Sequence, residues 1–159
     1  GRSHTPESSG DRILIVGVGK LLTSLGRCCK PAPPDAIEGF VTRGRGISIH
    51  RVDCRDFQNL ARQHPERVVG AEWGDQAVGG KQAVYPADIR VVAADRQGLL
   101  RDISEVLSRE KLNVIAVNTL SKKGAAHMRF TVEVASVAQL QRALGFVREV
   151  QGVEQVERG

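Results

Sequence analysis

Apolar and polar positions fall into two different rhythms along the chain. In the first half the apolar runs are short and close to period two. Ile13 to Val18 reads as a buried strand. Ile37 to Thr42 and Ile47 to Val52 read as two strands joined by Arg43-Gly44-Arg45-Gly46, and Arg67 to Trp73 as a fourth. Leu21, Leu22 and Leu25 predict one short helical face, and Phe57, Leu60 and Ala61 a second, over Phe57 to Gln63, with Asp53 or Asp56 as its cap and Pro65 as its stop. The second half is more regular. Ala87 to Ala94, Asn113 to Ser121, Ala126 to Val134 and Gly152 to Glu157 are strand patterns. Leu99, Ile103, Val106 and Leu107 repeat at helical spacing behind Asp95 as N-cap, and Val137, Leu140, Ala143, Leu144 and Val147 form another helical stripe.

The predicted fold class is therefore α+β. A small β-rich, cysteine-containing α+β module spans residues 11–74. A polar double-glycine linker follows over 75–83, and a βαββαβ ferredoxin-like domain runs over 84–159. In that second domain Met128, Phe130, Val132 and Val134 point inward, while His127, Arg129, Thr131 and Glu133 point outward. Residues 1–10, GRSHTPESSG, lack any periodicity and read as a disordered arm or a remnant of recombinant expression.

Composition narrows the class. A chain of 159 residues with 26% charged and 41% hydrophobic residues belongs with soluble globular proteins, and no apolar run is long enough to span a bilayer. An odd cysteine count of 3, with no signal-peptide pattern, argues against a secreted disulfide scaffold and for a cytoplasmic setting. The net charge is +5, and basic residues are densest between Lys20 and Arg62, where Lys20, Arg27, Lys30, Arg43, Arg45, Arg51, Arg55 and Arg62 face only Asp35, Glu38, Asp53 and Asp56.

The unusual chemistry is concentrated between Gly26 and Cys54. Cys28, Cys29, His50 and Cys54 would supply three thiolates and one imidazole, the ligand count of a closed zinc site. Cys28 and Cys29 are adjacent, so both can reach one metal only from irregular backbone, which Lys30-Pro31-Ala32-Pro33-Pro34 provides. The competing reading buries one cysteine as a small hydrophobe and leaves His50 as a surface donor.

Arg43 and Arg45, framed by glycines and backed by Lys20, Lys30, Arg51 and Arg55, suit a phosphate backbone, and RNA is the expected polyanion. In the second domain the turn Asp95-Arg96-Gln97-Gly98 leads into a helix start at Leu99, where backbone N–H groups and the helix dipole favour a small carboxylate. Gly17-Val18-Gly19-Lys20 resembles a phosphate loop only superficially. Leu14, Leu21 and Leu22 occupy positions that the phosphate-binding fingerprints reserve for glycine or a hydroxyl residue. No catalytic constellation emerges.

These residues are identified as belonging with a known family. GRCCKPAPPDAIEGFVTRGRGISIHRVDC and the closing AEWG resemble the conserved-cysteine, zinc-finger-like region of the long RelA/SpoT enzymes, which make and hydrolyse ppGpp in the stringent response. DRQGLLRDISEVLSREKLNV resembles the ACT domain that ends them. The resemblance implies a regulatory C-terminal fragment without catalysis of its own, whose parent is a GTP diphosphokinase, a ppGpp hydrolase or both. It implies contact of the cysteine region with ribosomal RNA and tRNA, and coupling to upstream catalytic domains. It also implies pairing into a homodimer through the ACT sheet and an amino-acid pocket formed by Asp95, Arg96, Gln97, Gly98 and Leu99 with Asn113, Val114, Ile115 and Val117 on an adjoining strand. Two alternatives stay open. One is an RNA-binding tandem whose second domain acts as an RRM, although Phe130 is the only ring in the central strands and the pattern buries it. The other is a homodimerisation element with no ligand.

Overall fold

The computed structural model describes residues 13–15, 22–44, 46–74, 77–78 and 81–159. The N-terminal arm, the Gly17 to Lys20 segment and Arg45 lie outside the described residues. The chain divides into two compact units that meet in sequence at Ala83 and Val84.

The first unit is a five-stranded sheet. Strands β1 (Ile13–Ile15), β2 (Thr23–Leu25), β3 (Ile37–Thr42), β4 (Gly46–Arg51) and β5 (Val68–Trp73) lie in the order β1-β5-β3-β4-β2. All pairings are antiparallel except β2 with β4. Leu25 therefore belongs to a strand, not to the helical face predicted for Leu21, Leu22 and Leu25. Spacing alone did not separate the two, because three residues that hydrogen-bond to β4 outweigh a weak local preference.

Period two decides which side each residue faces. Ile47 and Ile49 of β4 join Ile13, Ile37 and Ala71 in one small core. Phe40, opposite Ser48 in the register, turns the other way and packs with Cys29, Cys54 and Phe57. The helix α1 (Arg55–Gln63) covers this second face through Phe57, which is 2% exposed, while Leu60 stays largely outside. Its N-cap is Cys54, with no side-chain cap bond. Asp53, one of the predicted caps, instead takes two hydrogen bonds from the Arg51 guanidinium, and Asp56 lies within the first turn. A single turn of 3-10 helix, Pro65–Arg67, ends the helical stretch as Pro65 led one to expect. At the end of the first unit β6 (Ala77–Val78) and β7 (Lys81–Gln82) pair as a minimal ribbon inside the stretch predicted to be a linker.

The second unit follows the βαββαβ order. Strands β8 (Tyr85–Ala94), β9 (Asn113–Lys122), β10 (Ala125–Val134) and β11 (Val153–Arg158) alternate with helices α2 (Leu99–Arg109) and α3 (Val137–Arg148). The sheet order is β11-β8-β10-β9, antiparallel throughout. In β10, Met128, Phe130, Val132 and Val134 are buried, as are Leu99, Ile103 and Leu107 of α2 and Leu140, Leu144 and Val147 of α3. Each such side chain contributes roughly 1.5 to 3 kcal/mol when removed from water. Ser136 caps α3 by accepting a hydrogen bond from the Gln139 amide. Asp95 does not cap α2. That place belongs to Gly98, whose φ of 83° is the left-handed region that an Asp side chain enters only at a cost. Among the described residues no helix is long and apolar enough to cross a membrane.

Candidate functional site

Three segments of the first unit converge on one point. The Gly26 amide donates to the Ile49 carbonyl at 2.7 Å, which pins the Arg27-Cys28-Cys29 turn beside the end of β4. The Lys30 amide closes that turn onto the Gly26 carbonyl at 3.0 Å, with Lys30 itself at φ 45°. Cys54 arrives from the start of α1. As a result the ligand atoms of Cys28, Cys29, His50 and Cys54 all lie within 4.8 Å of one another. Irregular backbone is what lets the two neighbouring cysteines face the same way.

The distances suit a metal. His50 Nδ1 stands 3.3 Å from the Cys28 sulfur and 3.7 Å from that of Cys29, and the Cys28 and Cys54 sulfurs are 3.5 Å apart. With metal–sulfur bonds of about 2.3 Å and metal–nitrogen bonds near 2.0 Å, the edges of a tetrahedral zinc site are about 3.5 to 3.8 Å. His50 is also oriented from behind. Its Nε2 is 2.9 Å from the Ser48 hydroxyl, which donates onward to the Phe40 carbonyl at 3.4 Å. That leaves Nε2–H as donor and the Nδ1 lone pair facing the sulfurs, the arrangement in which an outer hydrogen bond fixes a ligating imidazole. Phe57 stacks on the ring at 5.3 Å between centroids. Gly26 completes the cradle, since a Cβ there would come within 2.7 Å of His50 Nδ1. The face occupied by His50 was legible in the alternation of β4. Its burial, 7% exposed, was not, because α1 and the cysteine turn cover what would otherwise be a solvated face. The reading of His50 as a surface donor is set aside by that burial.

Electrostatics point the same way. Burial pushes the Cys29 thiol up to about 12 and raises Cys28 as well, with Cys54 as a further cause, while burial lowers His50. Without a cation the desolvated pocket thus favours the neutral forms of Cys28, Cys29 and His50. A divalent ion reverses that preference by making the thiolate the favoured form.

The basic residues do not gather into one patch. Arg43 lies exposed at the turn after β3, whereas Lys30, Arg51 and Arg55 stand near the cysteine cluster at the far end of β4. Six residues of extended chain put about 17 to 20 Å between them. Arg51 is also committed. Its guanidinium holds Asp53 and the Cys29 carbonyl, and its amide donates to the Cys29 sulfur at 3.4 Å. Lys20 and Arg45 lie outside the described residues. Arg27 and Arg62 are exposed cations that were counted in the charge but not singled out.

In the second unit the turn Asp95 to Gly98 is tied down. Ser121 donates to the Asp95 carboxylate at 2.8 Å, and Arg96 forms a 2.8 Å ion pair with Asp102 while also donating to the Gln151 carbonyl. Arg96 is the first cause of the lowered Asp102 pKa. Gln97 is exposed, and no side chain caps α2. The segment Asn113, Val114, Ile115 and Val117 does not adjoin this turn. β10 separates β9 from β8, and Asn113 pairs with Glu133, which in turn faces Pro86 at the opposite end of β8 from Asp95. Within one chain the two halves of the expected pocket sit at opposite ends of the sheet, because β8 and β9 run the same way on either side of β10.

Comparison with known proteins decides the family. Residues 13–74 match the RelA/SpoT RIS domain and residues 81–158 match an ACT domain. The chain belongs to the RelA/SpoT family. It is 41% identical to the GTP pyrophosphokinase of Escherichia coli K12, and 39% identical to that of Streptomyces coelicolor, in each case over 99% of the chain. It spans about a fifth of their length, 21% and 18% respectively. The matched part is their C-terminal regulatory region, not the catalytic one. Among solved structures, the crystal structure of the ACT domain from the GTP pyrophosphokinase of Chlorobium tepidum is 28% identical, covering 48% of this chain and all of that one, with a TM-score of 0.44. The second unit of this RIS-ACT chain, which the ACT match covers, has the βαββαβ order, and the first unit carries the Cys/His cluster.

Proposed function

We propose that this chain is a cytoplasmic, non-catalytic sensor. The RIS unit reads the ribosome and its tRNA through a zinc-stabilised basic surface, and the ACT unit binds an amino acid. Both signals pass to upstream catalytic domains that make or hydrolyse ppGpp. The observation that carries the reading is the four-ligand cluster, which joins the Arg27–Lys30 turn, the end of β4 and the start of α1 into one rigid surface bearing Arg27, Lys30 and Arg55. Zinc held by Cys28, Cys29, His50 and Cys54 would be structural, since four protein ligands leave no open position for chemistry.

The uncapped start of α2 at Gly98 and Leu99 favours the ligand's carboxylate. Asn113, Val114, Ile115 and Val117 lie on the edge strand β9, where Ile115 and Val117 leave apolar surface exposed. A homodimer paired along that edge is the arrangement in which these residues would serve a site, as part of the interface rather than beside their own turn. The titration that tests this follows backbone amide shifts against a panel of amino acids. Shifts at Gly98 and Leu99 and along Asn113 to Val117 are expected for at least one of them. No shift at either place would remove the amino acid from the account, and sedimentation still reporting a dimer would then favour a ligand-free pairing element.

A further inference from the structure

From the geometry of the three thiols we infer that Cys28 and Cys54 form a peroxide-responsive pair, in which Cys28 is the thiol attacked and Cys54 the one that resolves it. Three observations distinguish them. Among the three cysteines Cys28 alone is exposed, so an oxidant in water reaches it first. Its sulfur is 3.5 Å from that of Cys54, already in contact and about 1.5 Å from bonding distance. Cys29 is buried, its sulfur takes the Arg51 amide, and its carbonyl is held by the Arg51 guanidinium. As the sequence neighbour of Cys28, it would close a strained eight-membered ring.

The chemistry balances with hydrogen peroxide as the two-electron oxidant. The Cys28 thiol gives up its proton to solvent and the resulting thiolate attacks one peroxide oxygen; the O–O bond breaks, and hydroxide leaves with a sulfenic acid on Cys28. The Cys54 thiolate then attacks that sulfur, an S–S bond forms, and a second hydroxide departs. Two electrons pass from the two sulfurs to the peroxide, and the two hydroxides are neutralised by protons from solvent. Cys29 and His50 remain as donors, half of a tetrahedral set. The bridge also fastens the start of α1 to the turn ahead of β3 across 26 positions. The loss of metal rests on the zinc reading above, whereas the thiol pair does not.

The test treats the reduced chain with a small molar excess of hydrogen peroxide after its zinc content has been measured. Disulfides are mapped by mass spectrometry of the digested protein, and released zinc is followed with a chromogenic chelator. The expected result is a Cys28–Cys54 disulfide at least about tenfold more abundant than any bridge to Cys29, reversed by dithiothreitol. One zinc should be freed per bridge formed. Cys28→Ser should slow the consumption of peroxide more than about tenfold, and Cys29→Ser should keep the same bridge. Should Cys28→Ser fail to fold, the mapping on the unaltered chain decides alone. A dominant bridge to Cys29, or sulfinic acid on Cys28 without any bridge, would overturn the inference. Zinc absent before peroxide would defeat the zinc reading while the mapping still judges the thiol pair.

Discussion

The two units bury their residues by different means. In the ACT unit two ten-residue central strands and two helices fully bury large apolar side chains, among them Phe130, Ile89, Ile103, Leu107 and Leu144. The RIS unit has strands of three to six residues and splits its apolar side chains between two small clusters on opposite faces of its sheet. One of those clusters contains two of the three cysteines and surrounds a histidine. The comparison teaches where each unit's stability resides. Helix and sheet packing suffices for the first, whereas a unit of this size with short strands stands to gain most from the metal proposed for the Cys/His cluster on its second face.

Breaking the comparison from the metal side gives the largest effect. Cys54→Ala removes one ligand, and structural zinc contributes on the order of 10 kcal/mol to small domains. The RIS unit should lose its dispersed amide signals while those of the ACT unit stay in place. Phe130→Ala attacks from the other side. A cavity at the centre of the ACT core should cost about 3 to 5 kcal/mol, read as a lower denaturant midpoint for that unit only. Both outcomes depend on the two units melting separately, and a single shared transition in either variant would dissolve the contrast.

Two smaller changes sharpen it. Ser48→Ala deletes the partner of His50 Nε2 without touching a ligand, so zinc affinity should fall about 10- to 100-fold with the fold retained, as measured by competition with a fluorescent chelator. Arg43→Glu should leave stability unchanged and lower the salt slope of RNA binding by about one unit or more. An unaltered slope would take the hairpin tip out of the nucleic-acid surface.

Much of this arrangement could be read directly from the residues. The helical stripes through Leu99, Ile103 and Leu107 and through Leu140, Ala143 and Val147 appear as expected, as does the alternation that separates Met128 and Phe130 from His127 and Arg129. These are long periodic segments in which pattern and burial agree. The misreadings arose where tertiary pairing decides. Leu25 became strand because β4 offered it hydrogen bonds, and Gly98 displaced Asp95 as the cap because the turn needs a left-handed residue. The cysteine set was legible as a ligand count, yet its convergence depended on a non-local contact, the Gly26 amide on the Ile49 carbonyl. Ser48 could have been found too, since it precedes His50 by two positions on one strand face. The basic residues looked like one patch in sequence because a six-residue strand is short on the page and long in space.

The pH dependence follows from the same cluster. Metal-free, His50 has a folded-state pKa below its ordinary 6.5, so the unfolded chain binds the extra proton first and the RIS unit loses stability as pH falls below that value. Cys29 has a folded-state pKa of about 12 against an ordinary 9.0, so the unfolded chain ionises first and stability also declines above pH 9. Zinc should shift the balance at neutral pH, because its binding displaces the protons that burial holds on Cys28 and Cys29, so its apparent affinity should climb as pH rises.

The most direct test of the central claim is zinc stoichiometry measured together with the melting of each unit, before and after a strong chelator. The account predicts one zinc per chain and a chelator that unfolds the RIS unit while the ACT transition keeps its midpoint. A metal-free chain whose RIS unit melts at the same temperature with and without chelator would contradict it.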